Sequence, residues 1–264
     1  MFPESWPTIR TGGCYHGFFP LPATRTISSA VTDTMTKPKA AKNRSAIVDM
    51  VYSEIRQSMM MGRFAPGQKV SLRSLSEEVG TSLTPVRGAV NRLIAEGAFE
   101  VLPNRWIVIP SMTRDKFDEI TYWRVQLESA ATRRAVANCT PQLINDIEHI
   151  NRDMIKIGKN GGDRKSLLSE NYKFHFAIYT AANSSILLPM IESLWLQAGA
   201  FTYYSLLSPK DLWDAKYHTE IIDALKRGDA EAAAKAVAND IINTANFLKE
   251  RGEFEQPKMN KVVA

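Results

Sequence analysis

The sequence predicts a mainly α protein in two parts, an N-terminal winged helix-turn-helix with a small β-hairpin wing and a C-terminal all-α helical bundle. Three observations predict it. Helical apolar periodicity recurs from residue 45 to about 250, and only the stretch 99–110 interrupts it, with two β-prone runs on either side of Pro103 and Asn104. The net charge is concentrated. Residues 37–111 hold eleven Lys and Arg against six Asp and Glu, a net +5, whereas 1–36 and 112–264 are each neutral. A basic module joined to a neutral one suits a polyanion reader coupled to a partner of different chemistry.

The elements follow in order. Residues 1–36 mix Pro, Gly, Thr and aromatics without helical rhythm and without the basic start and apolar run of a secretory signal, so they are expected to be a disordered extension. A polar run beginning at Met35 precedes the first amphipathic helix, which makes Met35 an alternative start. In 45–62, Ile47, Val51, Ile55 and Met59 recur at helical spacing, with Gly62 as terminator and a turn, FAPGQKV, behind it. SLRSLSEEVG at 71–80 supplies a second helix, capped by Ser71 and closed by Gly80. A third opens near Thr84 with Pro85 in its first turn and Val86, Val90, Leu93 and Ile94 as its apolar stripe. FEVLPNRWIVIP at 99–110 then reads as a hairpin, and three helices followed by a hairpin make a winged helix. In such a pair the second helix presents its N-terminal side chains to base edges, and its free amides favour phosphate.

From Thr113 to Arg251 the pattern predicts helices over 113–138, 140–157, 164–182, 185–206, 211–227 and 229–250, with 252–264 as a polar tail. No apolar run is long enough to span a bilayer. Cys14 and Cys139 are too few for a disulfide framework, so a reducing cytoplasm is expected.

These residues carry a resemblance. PGQKV, LRSLSEEVGTSLTPVRGAVNRLIAEG and PNR resemble the winged helix of GntR-type bacterial transcription regulators. By that resemblance Arg73, Thr84, Arg87 and Arg105 contact operator DNA, which suits the arginine fork and the threonine hydroxyl. Three positions depart from the family: Leu83 replaces a common Arg, Gly88 a common Glu, and Trp106 a wing glycine. RVQLE at 124–128, NYKFHFAIYTAAN at 171–183 and HTEIIDALKRGDAEAA at 218–233 resemble the FCD effector domain of the FadR-type subgroup. The resemblance thus implies domains at 37–111 and 112–251, the second for effector binding and dimerisation.

That subgroup holds a divalent metal with an Asp and three His near a pocket for a small, often carboxylate-bearing effector. His175 and His218 match two histidines of the set. Asn171 stands where the aspartate belongs, and Asp240 where the last histidine belongs. Two imidazoles, a carboxylate and an amide oxygen still suit zinc or nickel, although a buried histidine is also an ordinary hydrogen-bonded core residue. His16 and His149 have no such support. Arg124 is expected either to clamp an effector carboxylate or to pair with Glu128. Tyr204 and Asn243 are expected at the same pocket, although the Tyr203–Tyr204 pair also suits bundle core. The functional expectation is a homodimeric regulator, not an enzyme, binding double-stranded operator DNA under control of a small carboxylate. The alternatives are a metal-dependent enzyme built on the His/Asp set, or a regulator whose effector site has decayed.

Overall fold

The computed structural model describes residues 39–160, 162–207 and 215–255. The expectations for 1–36, including His16, and for the tail beyond 255 lie outside them. The first part of the chain forms α1 (Lys39–Met60), β1 (Lys69–Val70), α2 (Leu72–Glu78), α3 (Leu83–Ala95), β2 (Glu100–Val101) and β3 (Ile107–Val108). This is the winged helix expected, with one addition. The sheet has three strands rather than two, in the order β1-β3-β2, all antiparallel, with Val70 opposite Ile107 and Val101 opposite the same residue. The QKV stretch, expected as turn, becomes β1 because β3 has a second edge that needs a partner.

Local chemistry accounts for the ends. Ser71 and Ser74 satisfy each other's backbone N–H groups in a capping box that opens α2. The core stripe of α1 starts at Val51 rather than Ile47, which is 42% exposed. In α3, Pro85, Val86, Ala89, Val90 and Leu93 are buried.

The second part is helical: α4 (Arg114–Val136), α5 (Pro141–Lys159), α6 (Arg164–Ala181), α7 (Leu187–Thr202), α8 (Tyr204–Leu207), α9 (Lys216–Lys226) and α10 (Ala230–Arg251). Thr113, Thr140, Asp163 and Asp229 each accept a backbone N–H in the first turn of α4, α5, α6 and α10. The helix expected over 185–206 is interrupted at Tyr203, which separates α7 from α8. The helix expected from 211 is described only from Lys216.

One buried apolar cluster runs from Val51 and Leu93 in the first part to Phe174, Trp195 and Ile241 in the second. The reader and the bundle therefore share a core. The end of α1 and α7 come together at backbone distance. A Cβ added at Gly199 would overlap the carbonyl oxygen of Met59 and stand 2.9 Å from Met60 Cα. Gly62, at φ +66°, ends α1 and faces Thr202 Oγ1 and Tyr203 N, each 3.0 Å from where its Cβ would be. Arg56 reinforces the seam, reaching Glu192 of α7 at 3.0 Å and Glu96 at the end of α3 at 3.4 Å. Gly199→Ala is expected to destabilise the protein by about 1–3 kcal/mol, because backbone rather than a flexible side chain blocks the new methyl. Urea unfolding measures this, and an unchanged midpoint would mean that the seam is not close-packed.

Candidate functional site

Two sites emerge, one on the exposed face of the winged helix and one inside the bundle. On the first, Thr84 and Arg87 lie exposed on α3, and Asn91, one turn beyond Arg87, shares their face. Sequence reasoning missed Asn91, although its i,i+4 spacing from Arg87 was the available signal. Ser82, the N-cap of α3, makes no side-chain capping bond, which leaves the amides of that end open to an anion. Arg73 is exposed on α2 and pairs with Glu77 at 3.0 Å, an exchangeable surface contact. Arg105 projects from the wing turn with φ +67°.

Of the three departures, Gly88 has a local explanation, and nothing in the structure explains Leu83 or Trp106. A Cβ at Gly88 would stand 3.2 Å from Val48 Cγ1, so glycine lets α3 lie close to α1. Leu83 is exposed in the first turn of α3. The left-handed residue of the wing is Arg105, and Trp106, 46% exposed, lies 5.7 Å from the Lys69 ammonium. Arg92, by contrast, is engaged within the fold, bonded to Asp49 at 2.6 Å and stacked 3.7 Å from the Tyr52 ring.

In the bundle, α6 supplies His175 and Asn171, α9 supplies His218 and α10 supplies Asp240. His175 Nε2 is 3.2 Å from Asp240 Oδ2, His218 Nε2 is 3.9 Å from Asp240 Oδ1, and one ligand atom from each residue lies within 4.8 Å of the others. A tetrahedral ion with ligands at about 2.0–2.1 Å sets them about 3.3 Å apart. One pair is already at that spacing, and the others reach it by side-chain shifts on the order of 1 Å. The donor chemistry also fits. Burial drives the His218 pKa down to about 3, against the attraction of Asp240, so its imidazole is neutral as a ligand must be. Burial opposes the Asp240 charge, but the His175 hydrogen bond and the nearby His218, His175 and Arg124 hold its pKa below the ordinary carboxylate value.

A cavity of about 40 Å³ adjoins this cluster, lined by Arg124, Asn171, His175, Trp195 and Asp240 among others, and by Met60 from α1. The expected Arg124–Glu128 pair is present, and Arg124 also borders the cavity. Its Nε lies 2.7 Å from Oε1 of the fully buried Glu128, while its guanidinium stacks 4.6 Å from the Trp195 ring. Burial disfavours its charge, but Glu128 beside it more than compensates. The Trp195 indole N–H is buried without a hydrogen-bond acceptor among the described residues.

Two expectations need correction. Tyr204 stands outside the cavity lining: the break at Tyr203 carries it to a second apolar cluster, where its ring lies 5.0 Å from that of Phe201. Asn243 is exposed, because the cavity face of α10 is Asp240, Ile241 and Thr244, and position 243 falls out of that phase. Trp195, Met60 and Thr244 were missed, since nothing in their local pattern distinguishes cavity wall from core. His149 is exposed, 3.6 Å from Asp153.

Residues 47–109 match the bacterial regulatory proteins of the gntR family, and 119–243 match the FCD domain. The HTH-type transcriptional regulator McbR of Escherichia coli is 31% identical, over 71% of this chain and 86% of its own length. The chain belongs to the GntR family. It is a GntR-type transcription regulator of the FCD-bearing, FadR-like branch, matching the fold expected. The E. coli McbR/YncC structure superposes with a TM-score of 0.72 at 27% identity, over 78% of this chain and 99% of that one. A GntR regulator structure from Rhodococcus sp. RHA1 shares the fold at a TM-score of 0.64 and 18% identity, covering 79% of this chain and all of that one. The E. coli repressor RspR is 24% identical over 76% of this chain and 88% of its own length. No helix among the described residues is long and apolar enough to cross a membrane.

The buried neutral histidine has a pH consequence. Its folded pKa lies below the unfolded value of about 6.5, so the unfolded chain takes up a proton that the folded chain refuses. Stability of the metal-free protein should therefore fall as pH drops from about 6.5 toward 3. His218→Gln should remove up to about 1.4 kcal/mol per pH unit of that slope, read from urea unfolding in chelator. An unchanged slope would contradict the burial of a neutral ring.

Proposed function

We propose that this chain is a homodimeric, cytoplasmic regulator, not an enzyme. Residues 37–111 read operator DNA, and residues 112–251 bind a small carboxylate effector beside a divalent metal, zinc or nickel. The observation that carries the reading is a shared wall: Met60, at the end of the reader's first helix, lines the cavity that also presents Arg124 and the His/Asp cluster. Thr84, Arg87 and Asn91 would meet base edges, with Arg73 and Arg105 on the phosphates on either side. The unpaired Trp195 N–H calls for an acceptor, and Arg124 keeps guanidinium N–H groups beyond those it gives to Glu128, which supports an acidic ligand. His175, His218 and Asp240 would hold the metal, with Asn171 as a further oxygen donor; the ion would supply a Lewis-acidic position for a carboxylate oxygen.

A volume of about 40 Å³ admits an ion and a water or two, well short of the several hundred Å³ of ordinary ligand sites. A metabolite must therefore move a wall. Met60 is unbranched and belongs to an element the other wall residues do not share, so entry of the effector would shift α1 and, with it, the spacing of two readers on paired half-sites. The same small volume favours a second reading, a regulator whose effector pocket has decayed.

Selection of genomic fragments with the purified protein, then binding to the enriched site with and without zinc and a panel of carboxylates, tests the proposal. Enrichment of paired half-sites whose occupancy changes with a carboxylate is expected; occupancy unmoved by any member would favour the decayed-pocket reading. Arg87→Ala should weaken binding to the enriched site by about 1–3 kcal/mol if it reads a base. If it contacts a phosphate, the salt dependence should instead fall by about one counterion. Wild-type affinity and salt slope in that variant would remove Arg87 from the interface.

A further inference from the structure

The metal cluster does not end at its ligands. The Tyr179 hydroxyl donates to Glu128 Oε2 at 2.5 Å, and the Tyr179 hydroxyl oxygen lies 3.2 Å from His175 Nδ1. Glu128 is in turn held by Arg124 through its other oxygen, at 2.7 Å. All three acceptor contacts are internal, with Glu128 wholly buried and Tyr179 1% exposed. A tyrosine has one proton to give. Given to the Glu128 carboxylate, that proton leaves an oxygen lone pair facing His175, so Nδ1 must carry a ring proton. An ion that binds here takes the place of the Nε2 proton that Asp240 accepts at 3.2 Å; that proton leaves to solvent and Nε2 gives the ion its lone pair.

We infer that Tyr179 and Glu128 are positioning residues for His175, fixing the ring as an Nε2 donor and joining the metal cluster to the cavity arginine in one hydrogen-bonded chain, Arg124–Glu128–Tyr179–His175. The inference rests on the metal part of the proposed function. Outer partners of this kind set ligand orientation and basicity, and their removal weakens metal binding about 10- to 100-fold. Glu128 is an unusual outer partner because it acts through a hydroxyl. Replacing it with the isosteric amide would free the Tyr179 proton to turn toward Nδ1 and stabilise the tautomer whose Nε2 is occupied.

The experiment measures zinc affinity of the full chain by competition with a chromophoric chelator for wild type, Tyr179→Phe and Glu128→Gln, with helical circular dichroism and thermal melting as checks on folding. Both variants are expected to bind zinc about 10- to 100-fold more weakly. The chain has only four histidines, so two-bond 1H–15N spectra of the zinc-loaded wild type resolve the tautomer directly. A protonated Nδ1 and metal-bound Nε2 on His175 are expected, a signature that a merely structural role for Tyr179 would not require. Variants binding within twofold of wild type would overturn the inference while leaving the metal site standing, as would wild-type His175 bound through Nδ1. Failure of wild type to bind zinc or nickel at all would overturn the metal site and this inference together.

Discussion

The close approach of α1 to α7 is the constraint on which the rest depends. Glycine in the interior of a helix costs about 1 kcal/mol relative to alanine, and α7 carries one at 199 where the backbone of Met59 and Met60 lies against it. Because the helices meet at backbone distance, Met60 reaches into the bundle and the apolar core continues from reader to effector domain without a linker between them. Close-packed interiors do not deform gradually, so a change of volume on one side of this seam is felt on the other. A hinge-like connection through 109–114 alone would transmit far less.

Inside the bundle, charge is handled by pairing. Arg124, Glu128, His175, His218 and Asp240 bring ionisable groups into one buried region, an arrangement that costs several kcal/mol per ion unless the partners are in place. Tyr179 closes the gap between the Arg124–Glu128 pair and the histidines. Asn171 stands on α6 where the family resemblance implies an aspartate, and Asp240 on α10 where it implies a histidine, so the cluster keeps one carboxylate while having one imidazole fewer. That arrangement explains how a departure at two family positions still leaves a coherent donor set.

Much of this was legible in the sequence. The helices declared themselves through caps such as Thr113, Thr140 and Asp229 and through apolar stripes, because those signals are local. The His175, His218 and Asp240 cluster was legible only through the family resemblance, as three residues on three helices share no spacing that announces convergence. What stayed hidden was tertiary. Strand β1 depends on the free edge of β3, 37 or more residues away in the chain. Met60, Trp195 and Thr244 resemble any core or helix position until α1 and α7 are brought together, and Asn243 was displaced from Thr244 by a single residue of helical phase. The pairing of Tyr179 with Glu128 crosses 51 residues and has no local signature.

The cavity and the reader share a wall at Met60, and hydrogen–deuterium exchange of the full chain reads both sides of that wall. Amides 55–62 at the end of α1 and 195–203 at the end of α7 would be followed with zinc alone, and with zinc plus any carboxylate that raises the thermal midpoint. The carboxylate is expected to change exchange in both segments together, since about 40 Å³ is too small for it unless a wall moves and Met60 is the wall that α1 supplies. Carboxylate-induced changes confined to α4, α6 and α10, with 55–62 unaltered, would contradict this expectation.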